Sequence, residues 1–69
     1  MARVLYETAR RLMFDTNKAK LARETGIEER TIYNRRAHPE KTTLREYAAI
    51  VKARGLTPDE QELILKDLS

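Results

Sequence analysis

The side chains that most often make and break covalent bonds are nearly absent from this chain of 69 residues. It has no Cys, and its one His, His38, stands next to a proline. His38 therefore has neither a thiol nor a second imidazole to pair with, which leaves no nucleophile–base dyad and no His-based or Cys-based metal site. We expect no catalytic residue, no metal and no cofactor, and we place His38 in a solvated loop or against a phosphate group.

The charged residues offer binding chemistry instead, and they are unevenly distributed. Fourteen Lys and Arg residues against eleven Asp and Glu residues give a net charge of +3 and a pI near 9.5. Residues 1–36 hold nine basic and five acidic side chains (+4), whereas residues 37–69 hold five and six (−1). A concentrated basic region is typical either of a solvated face or of a protein that binds a polyanion.

Size and composition indicate one small intracellular domain. Sixty-nine residues suffice for a single domain, and 41% apolar residues, mostly Ala and Leu, allow only a modest core. The first fourteen residues include Glu7 and three arginines where a signal peptide needs an unbroken apolar run, and no stretch approaches the roughly 20 apolar residues of a membrane span. We expect a cytoplasmic protein without membrane contact, for which pairing of two copies would add stability.

The sequence pattern predicts an all-α fold of five helices. No stretch alternates strictly between apolar and polar residues, and strong helix formers dominate. The first helix is expected over residues 3–14. Its apolar stripe consists of Leu5, Ala9, Leu12 and Met13, which lie at helical spacing.

The second and third helices are separated by a glycine turn. Asn17 is a preferred N-cap, and Gly26 suits the left-handed residue that follows a helix C-terminus, which predicts a helix over residues 18–25. The segment 28–36 contains no Gly or Pro and is expected to form the third helix.

The fourth helix follows a loop at residues 38–42, where Pro39 prevents the third helix from continuing. Thr42 or Thr43 can cap this helix, and Gly55 ends it. Its apolar stripe is expected at Leu44, Tyr47, Ala48 and Val51.

The fifth helix has a strong start signal and a wide apolar surface. Thr57 is followed by Pro58 and Glu60, which is a capping box with proline at the first helical position, and it predicts a helix that runs to residue 68. Four apolar side chains on this helix cover more arc than one intramolecular contact needs, so we expect them either to complete the core or to form a homodimer interface. These are Leu63, Ile64, Leu65 and Leu68.

Residues 18–37 resemble a helix-turn-helix. That motif needs a small residue where its two helices touch, a glycine at the turn, and apolar anchors on both sides of it. The chain supplies all of these features. They are Ala22, Gly26, Leu21, Ile27 and Ile32.

The resemblance extends past this segment to the Cro-type and lambda-repressor-like family of DNA-binding domains. In that family a Leu-initiated fourth helix with a glycine-containing ending follows the third helix, and this chain shows the same spacing from Ile32. The matching residues are Leu44, Ile50, Ala53, Gly55 and Leu56. The similarity covers roughly residues 17–60 and implies a five-helix lambda-repressor-like bundle.

The resemblance also implies a recognition helix, residues 28–36, that lies in the major groove of duplex DNA. Its base contacts would be Glu29, Arg30, Tyr33 and Asn34. Contacts to phosphates would come from Asn17, Lys18, Lys20, Arg35, Arg36 and Lys41. The family implies a transcriptional regulator of phage, plasmid or bacterial type that binds a pseudo-palindrome as a homodimer, with no small-molecule effector.

Two features depart from the family pattern. Arg35 stands where the family has an apolar residue, so either its stem lies along the core or Tyr33 is the buried anchor. Glu28 and Glu29 place negative charge at the end of the recognition helix nearest the DNA. They either stabilise the helix N-terminus and specify cytosine, or they indicate a partner other than DNA.

A second class of function therefore stays open. A helical interaction module, such as an adaptor or an inhibitor, would keep the fold and use Glu28, Glu29 and Tyr33 to bind another protein. A nonspecific nucleic-acid binder fits less well with a net charge of only +3, because such binding depends on neutralised phosphates. An enzyme is the least expected class.

Overall fold

Five α-helices make up the structure, a computed structural model that describes residues 5–69. They are α1 (Glu7–Phe14), α2 (Lys18–Thr25), α3 (Glu29–Ala37), α4 (Leu44–Arg54) and α5 (Pro58–Leu68), with a short 3-10 helix at Pro39–Lys41 between α3 and α4. None of the described residues is in a strand, so the predicted all-α fold class is confirmed. Over the same range, no helix is long and apolar enough to cross a membrane.

Both ends of α2 are capped as the sequence predicts. The Asn17 Oδ1 atom accepts hydrogen bonds from the backbone N–H groups of Ala19 and Lys20 at 2.8 and 3.2 Å. Gly26 has φ 77°, and its N–H donates to the Ala22 carbonyl, which closes the last turn. A residue with a Cβ would be strained in this left-handed conformation, so the glycine fixes the end of the helix.

Helices α4 and α5 begin with the same local structure, a capping box. Thr43 Oγ1 accepts from the Glu46 N–H at 3.2 Å, and Glu46 Oε1 accepts from the Thr43 N–H at 3.0 Å. Thr57 and Glu60 repeat this arrangement at 3.2 and 2.9 Å. Each cap contributes about 1 kcal/mol to stability. Thr43, rather than its neighbour Thr42, is therefore the N-cap of α4.

Helix α1 begins later than predicted, at Glu7 instead of residue 3. Tyr6 adopts a left-handed backbone conformation with φ 58° and ψ 38°, which a continuous helix cannot contain. Leu5 is exposed and does not belong to the apolar stripe, and residues 3 and 4 lie outside the described range. The backbone N–H of Ala9 donates to Asp67 Oδ2 of α5 at 2.9 Å, so the cap of α1 comes from the far end of the chain.

The core consists of seven apolar side chains that are buried almost completely. Helix α1 supplies three of them, and each of the other four helices supplies one. They are Ala9, Met13, Phe14, Leu21, Ile32, Ile50 and Ile64. Because each helix buries at least one side chain here, the five helices share a single core.

Helix α4 is rotated relative to the prediction. Ile50 is its fully buried residue, whereas Leu44 is 87% exposed and Ala48 is exposed as well. Tyr47 packs against the core as predicted. The error has a simple cause, since the 44, 47, 48, 51 spacing and a stripe centred on residue 50 are both compatible with a short helix that contains seven apolar residues.

The apolar residues of α5 divide between core and surface. Ile64 is fully buried in the core of the single chain and Leu68 packs against that core, so the prediction of Ile64 as an interface residue is wrong. Leu63 and Leu65 are 52% and 57% exposed. Residues two positions apart in an α-helix differ by about 200° of rotation about its axis, so these two leucines lie on opposite edges of α5.

Candidate functional site

A short chain of hydrogen bonds holds the turn between α2 and α3. Thr25 Oγ1 donates to the Leu21 carbonyl at 2.7 Å and accepts from the Ile27 N–H at 3.2 Å. Leu21 is buried and Ile27 packs against the core, so both sides of Gly26 are anchored. Helix α3 therefore leaves the turn in a defined direction, and it begins and ends one residue later than predicted.

Helix α3 presents one continuous polar face to solvent. Ile32 is its only fully buried side chain. The four residues predicted to meet base edges are all exposed and span about 140° of the helix on the side away from Ile32. They are Glu29, Arg30, Tyr33 and Asn34. The structure thus brings the four side chains together on one accessible surface, which we call the α3 face.

The structure decides between Tyr33 and Arg35 as the residue that faces the interior. Tyr33 is 60% exposed and belongs to the α3 face. Arg35 is partly buried, and its Nε donates to Glu46 Oε1 of α4 at 2.9 Å. Arg35 thus occupies a position that would otherwise take an apolar residue by pairing with a carboxylate. Because the Arg35 guanidinium already pairs with Glu46, we remove Arg35 from the predicted phosphate contacts.

The Glu46 carboxylate serves two elements at once. Its Oε1 atom accepts from both Arg35 Nε and the Thr43 N–H, so the ion pair to α3 and the capping box of α4 share one oxygen. Burial alone would raise the pKa of Glu46, but the hydrogen bonds from Arg35 and Thr43 and the charge of Arg35 lower it below its usual value of 4.5. Glu46 is therefore ionised at neutral pH, and it was not among the predicted site residues.

One edge of the α3 face borders a basic groove. The groove is lined by Arg10 of α1, Lys18 of α2, and Tyr33, Arg36 and Ala37 of α3, and we call it the α1–α3 groove. The Lys18 Nζ atom lies 5.1 Å from the centroid of the Tyr33 ring, a cation–π contact. Three cationic side chains and no carboxylate line this groove, so it suits an anionic group.

Arg10 is a member of this groove that the sequence did not reveal. Its Nε donates to the Arg36 carbonyl at 2.7 Å, and its Nη2 lies 3.5 Å from the Ala37 carbonyl. These contacts join residues 26 and 27 positions apart in the chain. No local sequence pattern predicts such a pairing, because in the sequence an arginine on the polar side of the first helix cannot be distinguished from a solvated residue.

The positive charge is stronger toward Tyr33 than on the opposite side of Arg10. A second groove is lined by Arg10, Arg11 and Arg36 together with two carboxylates, Glu7 and Asp15. These acidic side chains offset part of the positive charge on that side. An approaching anion therefore meets the least compensated charge at the α1–α3 groove, next to the α3 face.

The other predicted phosphate contacts differ in whether their polar atoms already have hydrogen-bond partners. Lys20 and Lys41 are exposed, the first at the start of α2 and the second in the 3-10 helix after α3. Asn17 is exposed, but its oxygen already accepts two backbone N–H groups, those of Ala19 and Lys20. Those two donors are not free for an anion, which leaves the Asn17 amide nitrogen and the lysine side chains.

Comparison with family models, with curated proteins and with solved structures found no significant match. The site is therefore interpreted from its own geometry. Helix α3 of this two-helix unit exposes four side chains that can form directed hydrogen bonds or apolar contacts, and a groove with three cations borders them.

Proposed function

We propose that the protein binds duplex DNA sequence-specifically, with α2 and α3 acting as a helix-turn-helix and α3 lying in the major groove. The observation that carries this proposal is the α3 face, where Glu29, Arg30, Tyr33 and Asn34 are exposed together on a helix whose opposite side is anchored. A major groove admits one α-helix, and three or four such side chains are enough to distinguish base pairs.

The side chains of the α3 face suit different base edges. Arg30 offers two parallel donors to guanine O6 and N7, and Asn34 offers a donor and an acceptor to adenine N6 and N7. Glu29 can accept from cytosine N4, and the Tyr33 ring can contact a thymine methyl group. Each well-formed pair contributes about 1–3 kcal/mol of discrimination against the wrong base.

The α1–α3 groove supplies the contact with the DNA backbone in this proposal. Lys18 and Arg36 lie beside Tyr33, so a helix seated in the major groove brings them near one strand. Lys20 and the Asn17 amide extend this contact along the start of α2, and Lys41 lies past the C-terminal end of α3. These contacts position the protein without reading sequence, and they make affinity fall as salt rises.

A regulator of this size would act as a homodimer. One α3 reads few base pairs, and two copies on a pseudo-palindrome place their recognition helices about 34 Å apart, one turn of the duplex. Because Ile64 belongs to the core, contacts between two copies would be made by exposed residues at the edges of α5. Leu63 and Leu65 lie on opposite edges, so one symmetric contact between two α5 helices would use one of them.

The proposal is tested by selecting bound sequences from a pool of randomised duplexes at about 0.15 M salt, where long-range nonspecific attraction is screened. We expect one enriched site with two related halves. Without enrichment by a folded protein, the proposal fails and the interaction module becomes the better description. In that case Glu28, Glu29 and Tyr33, which are all exposed on or beside the α3 face, would contact a protein partner.

A further inference from the structure

Helix α3 has little apolar packing to fix its rotation and tilt. Ile32 is its one fully buried side chain, although the helix has nine residues. The anchored turn before α3 holds its N-terminal end, but a single buried side chain leaves the C-terminal half of the helix without apolar packing of its own. The orientation of the α3 face must therefore depend on other contacts.

Two arginine contacts supply the missing constraints, and both lie at the C-terminal end of α3. From α1, Arg10 donates to the carbonyls of Arg36 and Ala37, which have no partner within the helix itself. From α4, Glu46 accepts from Arg35 at 2.9 Å. The first contact also places a cation at the negative end of the helix dipole.

We propose that Arg10 and Glu46 are positioning residues. Their contacts with the C-terminal end of α3, which we call the two tethers, set the orientation of α3 on which base recognition depends. The proposal rests on the proposed function only for its consequence in DNA binding, since the tethers hold α3 whether or not DNA is bound. One tether comes from α1 and the other from α4, so together they hold the C-terminal end of α3 to two different helices.

The chemistry of the Arg10 tether suggests a substitution that separates its hydrogen bonds from its charge. A guanidinium presents several donors in a fixed plane, and Arg10 uses Nε and Nη2 on two successive carbonyls. Lysine keeps the charge but offers one ammonium that cannot match this geometry. Arg10→Lys therefore removes the tether while preserving the positive charge of the α1–α3 groove.

The chain contains a matched control for this substitution. Arg54 Nε of α4 donates to the Leu12 carbonyl, near the C-terminal end of α1, at 3.2 Å. This is the same kind of contact as that of Arg10, an arginine of one helix on a terminal carbonyl of another, but it does not involve α3. Arg54→Lys thus removes a comparable hydrogen bond elsewhere in the fold.

The first measurement is amide hydrogen exchange of each variant without DNA. We expect Arg10→Lys to speed exchange in α3 by about tenfold relative to α5, because the variant loses the hydrogen bonds to the last carbonyls of α3. Glu46→Gln should act in the same way through the other tether, and it serves if Arg10→Lys fails to fold. Arg54→Lys should leave the ratio of α3 to α5 exchange unchanged. Unchanged α3 exchange in both tether variants would overturn the proposal.

The second measurement is the base preference of the same variants on the selected duplex and on a scrambled duplex. We expect Arg10→Lys to lower the affinity for the selected site about tenfold more than it lowers the affinity for the scrambled duplex. Equal losses on both duplexes would make Arg10 a backbone contact and overturn its positioning role in recognition. If the unmodified protein selects no site but α3 exchange responds to Arg10→Lys, the proposed function fails and the tethers remain.

Discussion

Helices α1 and α3 are almost equal in length, eight and nine residues, but they are held in different ways. Helix α1 buries Ala9, Met13 and Phe14, whereas α3 buries Ile32 alone and depends on Arg10 and Glu46. The difference shows that one small domain can hold some helices by apolar packing and others by polar contacts. Apolar packing at α1 stabilises the fold, and polar tethers at α3 leave most of its side chains exposed.

The largest expected effect tests the packed region. Phe14→Ala removes a fully buried aromatic ring and should cost about 3–5 kcal/mol. A domain of this size has only about 3–10 kcal/mol of stability in total, so much of the variant should be unfolded at 25 °C. Urea unfolding followed by circular dichroism measures the loss. Leu44→Ala is the control, because Leu44 is 87% exposed and should change stability by less than about 0.5 kcal/mol. Similar losses in both variants would contradict the assignment of the core.

The next effect tests the tethered region. Glu46→Ala removes the ion pair to Arg35 and the Glu46 half of the α4 capping box, the hydrogen bond from the Thr43 N–H, and it should cost about 2 kcal/mol. Glu60→Ala is the matched control, since Glu60 closes the same capping box in α5 without the ion pair and should cost about 1 kcal/mol. Both values come from urea unfolding at pH 7. If the two variants lose the same stability, the Arg35–Glu46 pair contributes nothing to the fold.

Acid should abolish the contribution of Glu46. The pKa of its carboxyl is lower in the folded protein than its usual value of 4.5, so the folded state favours the ionised form. The resulting stability is complete above pH 4.5 and is lost as the pH falls through the lowered pKa. The difference in unfolding free energy between the unmodified protein and Glu46→Ala should therefore narrow below about pH 4.5. A difference that stays constant down to pH 2 would contradict a lowered pKa of Glu46 in the folded state.

A smaller effect, of opposite sign, is expected where α4 meets the core. The Tyr47 hydroxyl is buried and has no hydrogen-bond partner within residues 5–69, and burial raises the pKa of this phenol above its usual 10.0. Removing an unpaired buried hydroxyl should stabilise the fold, by about 1 kcal/mol for Tyr47→Phe. Thermal unfolding provides the test. Tyr33→Phe, at an exposed ring, should leave the melting temperature unchanged. A lower melting temperature for Tyr47→Phe would mean that the hydroxyl makes a useful contact.

The smallest effect on stability is expected on the α3 face, where a substitution should alter recognition alone. Arg30 is exposed, so Arg30→Ala should change stability by less than about 0.5 kcal/mol. Under the proposed function it relaxes the preference at one base pair of the selected site, by about 1–3 kcal/mol. Lys66→Ala removes an exposed cation from α5 and should leave the preference intact. Equal loss of affinity for all sequences after Arg30→Ala would place Arg30 on the backbone instead.

The features that sequence predicted are those that depend on neighbouring residues. Asn17, Gly26, Gly55, the threonine cap of α4 and the capping box of α5 act within a few positions, so they mark the ends of helices reliably. The four residues of the α3 face came from the family resemblance, and they are exposed on the helix that buries Ile32. In each case the physical cause lies in one short segment.

The features that sequence missed depend on contacts between distant segments. The rotation of α4 toward Ile50 and the left-handed Tyr6 are set by packing of several helices at once. The Arg10 tether joins α1 to residues 36 and 37, and no local pattern distinguishes it from a solvated arginine. Such interactions between side chains and distant backbone groups give no periodic signal.

The bond between the Ala9 N–H and Asp67 bears on how the chain folds. It joins residues 58 positions apart and so closes a loop that contains most of the described residues. Closing a loop costs chain entropy, so we expect this bond to form late in folding. We expect α1 to remain frayed at its start in any partly folded species without a docked α5. Because completion of the first helix requires the last, folding of this small domain should be cooperative from end to end.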